Sequence, residues 1–425
     1  MKKIIIVAPH FPPSNLAAVH RARLFAKYLP EFGCEPIVVT IHHKYYEEKP
    51  DWDLFKTLPP DLRVEKVGAL PILPFRMIGD IGVRGFFPML LRILKIIKKE
   101  KIDFLYITIP SFYSALLGRL VNLFTGIKYG VDYIDPWVHS FPGSKKKLSR
   151  AWLSTLVARI LDPIAIKRAS LITGVASGYF EGVFARNPCL KNSCLTLAIP
   201  YGAEKSDFEV VEKFSIKPYL FKDHNSVNLV YAGAFLPQSI KPLREIFSAI
   251  KSNNKLYSNV RFNLIGTGRN PVKNDDFAIK AIAQEYGLWE KVVFEYPNRM
   301  PYLDVLAHLK YADGIFILGS TEPHYSPSKV FQAFLSKKPI FAVLHKKSTA
   351  FEMIKNSRAG IVLEFDGEGD IDSIRNRFDY NFSEFIKMMK SFDHSNINQS
   401  VLDKYSAHNI TQELALTLDK LVKNT

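Results

Sequence analysis

Short runs of β-branched and aliphatic residues alternate with longer segments of helical periodicity along almost the whole chain, and the alternation starts twice. Residues 3–8, 36–40, 104–107, 127–133 and 171–175 are apolar runs too short for helices and too uniformly apolar for a half-solvated strand, which predicts buried parallel strands. Helical patterns lie between them at 16–32, 86–101, 111–124, 147–169 and 177–186. A second series of runs at 227–232, 260–265, 291–295, 314–318, 339–344 and 360–363 alternates with helical patterns at 242–252, 276–286, 302–311, 328–335 and 349–355. Each series predicts an α/β doubly wound sheet of Rossmann type with helices on both faces.

A length of 425 residues supports the same division, because single cores stop growing at roughly 250–300 residues. Periodicity fails in a stretch rich in Lys, Asp, Glu and Ser, so a linker is expected at 206–225, between a first domain over 1–205 and a second over 226–400. Residues 401–425 come too late to add a strand and are expected as closing helices. Two such domains facing across a cleft would bind ligands beyond the carboxyl ends of their strands.

The charge of +16 favours an anionic partner: nucleic acid, anionic lipid or a phosphorylated substrate. Cys34, Cys189 and Cys194 are an odd number without CxxC spacing, which argues against a disulfide framework or a structural zinc site and for a reducing cytoplasm. The first apolar run is broken by Pro9 and Pro12 too early for a signal sequence. No stretch approaches the roughly 20 apolar residues of a membrane span, so any membrane contact is expected to be peripheral.

Residues at strand ends are the candidates for chemistry. The first strand opens into Pro9-His10-Phe11-Pro12-Pro13-Ser14-Asn15, and the helix after it carries His20 and Arg21. Asn15, His20 and Arg21 are therefore expected to contact an acceptor or a phosphate, the alternative being a stiff crossover with a surface arginine. Asp135 follows a strand beside Pro136 and Trp137, a placement for a carboxylate that orients or deprotonates a hydroxyl while Trp137 shields it. The alternative is an Asp-Pro turn with a core tryptophan. Gly266-Thr267-Gly268 resembles a phosphate loop but lacks the third glycine of a dinucleotide fingerprint. Asp51-Trp52-Asp53 lies among prolines rather than at a strand end, and His42-His43 has no accompanying Cys or carboxylate cluster, so no metal site is expected at either. Pro327 and Ser328 are expected to open a helix whose free N–H groups form an anion pocket, with Lys329 adding charge and Gln332 one turn on.

These motifs in this order, together with the strand end Tyr231-Ala232-Gly233-Ala234 and the block Pro327-Ser328-Lys329-x-Phe331-x-x-Phe334-Leu335, resemble GT-B glycosyltransferases over nearly the whole chain. Within that fold the chain looks closest to family 4, sugar-nucleotide enzymes of bacterial surface polysaccharide and glycolipid (lipopolysaccharide-type) synthesis. The resemblance implies a donor in the C-terminal domain, with Ser328 and Lys329 at its phosphates and Gln332 at its ribose. It also implies no cofactor and no metal. The family pattern Glu-x7-Glu falls on His324 and Gln332, so neither carboxylate is present, and Glu322 is the nearest substitute for the first. Lys241 stands only roughly at a family lysine position, and Lys241, Lys329 and the helix end at Ser328 are the cations and donors offered to a leaving diphosphate.

The resulting expectation is a metal-independent hexosyltransferase that moves a sugar from a nucleotide-sugar donor to a saccharide or lipid-linked acceptor. The alternatives are a GT-B sugar-nucleotide epimerase and, from another class, a basic nucleic-acid-binding protein, although no nucleic-acid motif is visible. The pattern 85–101 places Met89, Leu90, Ile93, Leu94 and Ile97 on one helical face, and 144–150 carries a basic cluster. Both suit docking on the anionic inner face of the cytoplasmic membrane, against the alternative that the helix covers a sheet.

Overall fold

A computed structural model of the chain describes residues 1–72, 80–109, 111–138, 146–221, 225–268, 275–323 and 329–423. They form two units, Met1–Gly202 with Ala407–Thr425, and Ala203–Ser406. The first contains a seven-stranded parallel sheet built from β1 (Lys2–Val7), β2 (Cys34–Ile41), β3 (Arg63–Val67), β4 (Phe104–Ile109), β5 (Tyr129–Tyr133), β6 (Leu171–Gly174) and β7 (Leu195–Ala198), in the order β3-β2-β1-β4-β5-β6-β7. The second contains a six-stranded parallel sheet of β8 (Val227–Ala232), β9 (Val260–Ile265), β10 (Val293–Tyr296), β11 (Gly314–Leu318), β12 (Ile340–His345) and β13 (Gly360–Phe365), in the order β10-β9-β8-β11-β12-β13. Both are doubly wound Rossmann-like sheets. Chain order reverses between β1 and β4 in one and between β8 and β11 in the other, and sheets of this kind bind ligands just beyond those reversal points.

Two-residue alternation feeds both faces of the first sheet. Ile5 and Val7 enter a core with Ile107 and Val131, while Ile4 and Ile6 enter another with Phe25 and Phe104. In the second unit, Phe378, Phe382 and Phe385 of the helix Asp372–Ser391 pack on Phe341 of β12, with ring centroids 5.3–5.4 Å apart.

Two expectations need correction, and one gains a location. Part of the segment expected as a linker is the helix Lys205–Lys213, which belongs to the second unit and buries Asp207, Phe208 and Val211. Only a narrow apolar face is needed where a short helix lies on another, and the charged remainder hides it from a periodicity search. The closing helices are present as Gln399–Asp403 and Ala407–Lys423, and the last of them belongs to the first unit, where Ile410, Leu414 and Leu418 join the core around Ile4 and Phe25. The helix Phe86–Lys99 buries Met89, Leu90 and Ile93, so the face suggested for a membrane covers the sheet instead.

Candidate functional site

In the first unit, the loop after β1 is held from the β2 side. The Glu48 carboxylate lies 3.0 Å from His10 Nδ1 and accepts a hydrogen bond from Ser14 Oγ. Burial on its own would raise the Glu48 carboxyl, but the hydrogen bonds from His10 and Ser14 and the charge on His10 hold it down at about 2. An ionised Glu48 can only accept, so the shared proton sits on Nδ1, which in the neutral ring would leave the lone pair on Nε2. The His10 side chain is 15% exposed and that of Glu48 5%, which makes this a sheltered histidine–carboxylate pair at the carboxyl end of β1, beside the reversal point. Tyr46 packs on the ring of His10 with centroids 4.9 Å apart and accepts from the Phe11 N–H, completing the support.

The residues expected to meet an acceptor behave differently. Arg21 is buried, and its Nη2 donates to Asp132 Oδ1 at 2.8 Å and its Nη1 to the carbonyl oxygens of Ile199 and Pro200 at 2.6 and 3.1 Å, while Nε takes the other Asp132 oxygen. Asp132 also accepts from Thr173 Oγ1, which is 2.6 Å from the Tyr106 hydroxyl. Arg21 is thus a buried tie between the first helix, β5 and the chain after β7, because a guanidinium at this depth must be matched by carboxylate and carbonyl oxygens. Trp137 is a core residue stacked on Phe112 at 5.9 Å, which is the Asp-Pro turn alternative for that residue. Asn15 is buried and donates to Asp51 at 3.3 Å, and His20 is buried in the same helix as Arg21. Asp135 does face solvent at the carboxyl end of β5. It lies near Tyr201, whose hydroxyl is pushed well up by burial and then by the Asp135 charge.

In the second unit, Lys329 sits beside the end of β8. A Cβ at Gly233 would lie 3.9 Å from the Lys329 side chain, and Gly233 has φ +151°, a conformation that other residues rarely adopt. The ammonium lies 5.5 Å from the ring centre of Tyr302, and the Tyr302 hydroxyl donates to the fully buried Asp207 at 2.8 Å. Burial, and then the positive charge of Arg299, lower Lys329 to about 8, against a smaller opposing pull from Asp207. A half-buried cation next to a second cation, at the carboxyl end of β8 where the strand order reverses, is a place that an anion would suit. Asp207, Arg299 and Tyr302 escape a reading by motif because two segments distant in sequence, one carrying Asp207 and the other Arg299 and Tyr302, bring them to Lys329.

The other donor-side candidates divide. Glu322, exposed after β11, accepts from Gln238 Nε2 at 3.2 Å, and Thr321 N–H donates to the Gln238 carbonyl at 3.3 Å, so the loops following β8 and β11 are tied together. Gln332 is half-buried in the short helix Val330–Leu335, and its Oε1 is buried without a hydrogen-bond partner among the described residues. Ser328 lies outside the described residues. Lys241, on the first turn of the helix Ile240–Ser252, pairs with Glu368 at 3.0 Å on the surface. Gly266 follows β9 with φ +69°, but the helix after its turn already has an anion. Glu295 accepts from Thr267 Oγ1 at 2.6 Å and from the N–H groups of Ala278 and Lys280, each at 2.8 Å. The chain's own carboxylate therefore occupies the N-terminus of that helix, the place where a phosphate would otherwise bind.

No protein-family model and no curated protein sequence matches the chain. Solved structures do. Sucrose-phosphate synthase from Thermosynechococcus elongatus is 14% identical with a TM-score of 0.67, each chain covering 100% of the other. HepE from Anabaena in complex with UDP-glucose is 14% identical with a TM-score of 0.61, over 99% of this chain and 100% of that one. MnaA from S. aureus, solved with UDP, is 13% identical with a TM-score of 0.52, over 100% and 98%. At these identities the likeness is one of fold: the chain is an α/β protein with two parallel Rossmann-like sheets and a GT-B-like architecture.

Proposed function

We propose that the protein is a glycosyltransferase that binds a nucleotide-sugar donor in its second unit and transfers the sugar to a hydroxyl of a saccharide or lipid-linked acceptor. The observation that carries this reading is the half-buried Lys329 beside Gly233, with Arg299 nearby, at the carboxyl end of β8 in a fold whose solved examples include one holding UDP-glucose. The two cations are suited to the diphosphate that accumulates charge as the glycosidic carbon leaves it. Gln332, with an unsatisfied buried oxygen, and Glu322 are the polar groups available to hydroxyls of the donor.

The first unit supplies the acceptor side. His10 Nε2 takes the proton of the acceptor hydroxyl, with Glu48 stabilising the imidazolium that results, and Asp135 orients the hydroxyl. As that oxygen bonds to the anomeric carbon, the bond from this carbon to the donor phosphate oxygen breaks and its electron pair departs with the diphosphate. This chemistry needs no group beyond the two substrates.

Calorimetric titration of nucleotide sugars into the wild type and into Lys329→Ala tests the donor site. A donor that binds the wild type and binds the variant at least tenfold more weakly supports the assignment. Equal affinity for both within twofold removes Lys329 from the site. Retention on heparin with a steep salt dependence, and no nucleotide-sugar binding, would favour a nucleic-acid partner instead.

A further inference from the structure

The helix Arg150–Ile166 carries an apolar stripe on its outer face. Leu153, Leu156, Val157, Ile160 and Ile164 are each 37–55% exposed. At 100° per residue they fall within an arc of about 100°, a single continuous stripe along the helix. The opposite face is apolar as well: Ala158, Ala165 and Ile166 enter the core. Aliphatic side chains thus line two opposite faces of the helix, and among the described residues only one of the two is buried.

Charge identifies the cover. The stripe is flanked by exposed cations, with Lys146, Lys147 and Arg150 before and at the start of the helix, Arg159 within it, and Lys167 and Arg168 just past its end. The one acid between 146 and 168 is Asp162, and it is buried. Its Oδ1 accepts from the Tyr133 hydroxyl at 2.6 Å and its Oδ2 from Arg186 Nη2 at 2.8 Å, so it contributes no negative charge to the outer face. Aliphatic side chains along the middle, with cations around them and no exposed acid, match the headgroup and acyl boundary of an anionic bilayer. A second copy of the chain fits poorly, because a two-fold contact through this face would set the same cations against one another.

We propose that this helix, rather than Phe86–Lys99, lies flat on an anionic lipid surface with its outer stripe in the acyl boundary. Among the described residues no helix is long and apolar enough to cross a membrane, so the contact is one of a helix lying in the interface. The basic run that sequence alone assigned to the membrane begins at Ser144 and Lys145, which lie outside the described residues; Lys146, Lys147 and Arg150 adjoin the stripe directly. The proposal does not depend on the sugar-transfer reading, because it rests on a different surface and its test needs no donor.

The experiment is co-sedimentation of the full chain with vesicles of phosphatidylcholine containing about one third phosphatidylglycerol, against pure phosphatidylcholine, over a salt series. The expected result is binding to the anionic vesicles that weakens with salt, at least tenfold reduced in Ile160→Glu, with an unchanged unfolding midpoint because Ile160 faces outward. If Ile160→Glu does not fold, Leu156→Ser with Ile160→Ser is the milder variant, again with at least a tenfold loss expected. Arg159→Glu with Lys167→Glu should lower binding and flatten the salt dependence. Failure of the wild type to bind anionic vesicles, or undiminished binding by a folded stripe variant, overturns the proposal. A wild-type dimer in light scattering that Ile160→Glu dissociates, with no vesicle binding by either, overturns it in favour of self-association.

Discussion

Replacing Lys329 by methionine should make the protein more stable and less able to bind its donor. The ammonium is held at about 8 against 10.5 in water, a difference of 10.5 − 8 = 2.5. At about 1.36 kcal/mol per unit this corresponds to roughly 3 kcal/mol of folding free energy opposed by the charge. The side chain is partly open to solvent, so screening reduces this to about 2 kcal/mol. The folded protein releases this proton before the unfolded chain does. The penalty is therefore complete below pH about 8 and is relieved between about 8 and 10.5. Methionine keeps the length and the apolar stem without the charge. At pH 7 the variant should melt higher, by about 4–8 °C for a cooperative unit of this size at 2–4 °C per kcal/mol. The same change removes a charge-assisted contact to the diphosphate, worth about 1.5–3 kcal/mol, so donor affinity should fall about 10–100-fold. In the wild type, donor affinity should decline as pH rises through about 8, as the ammonium loses its proton. Scanning calorimetry and isothermal titration on the same preparation read both effects. A variant that melts at or below the wild-type temperature with unchanged affinity would refute the reasoning, since Lys329 would then be a satisfied structural residue.

Further substitutions separate chemistry from architecture. His10→Gln keeps a group able to hydrogen-bond Glu48 but removes the basic nitrogen, and should lower turnover by roughly 10²–10⁴-fold with donor affinity and melting temperature intact; full turnover would exclude His10 as the base. Asp135→Asn, at an exposed strand end, should lower turnover without destabilising the fold; a lower melting temperature with normal turnover per folded molecule would make Asp135 a structural turn residue. Arg21→Ala strands the buried Asp132 and should cost about 3–5 kcal/mol in denaturant unfolding, whereas an arginine that merely contacted an acceptor would leave stability unchanged.

The interior strands of both sheets are legible in the sequence because a parallel strand covered on both faces must be apolar throughout, as in Ile4–Val7 or Ile315–Leu318. The edge strands β3 and β7 are not. β3 reads Arg-Val-Glu-Lys-Val, and three of the four residues of β7 are exposed, so neither has the uninterrupted apolar run that marks its neighbours. Lys329 stands out through the helix-opening motif around it, but its burial and its cationic neighbour depend on Asp207, Arg299 and Tyr302, which only the fold assembles. The same limit hides the pairing of His10 with Glu48, 38 residues apart, and the destination of Arg21, whose partner Asp132 is 111 residues away. A strand-end position indicates that a side chain can serve a ligand, but whether it does depends on what else packs there. Arg21 and Trp137 are consumed by the interior, while Asp135 is left at the surface.

The central claim is a nucleotide-sugar site in the second unit, and the most direct measurement is a thermal-shift panel of UDP, GDP, ADP, CMP and TDP sugars on the wild-type protein. The account predicts that sugars of one nucleotide raise the unfolding midpoint, by the equivalent of about 2.7 kcal/mol at 100 times the dissociation constant. It also predicts that this rise is lost in Lys329→Ala. No shift with any nucleotide sugar at millimolar concentration, in a protein that unfolds cooperatively, would contradict it.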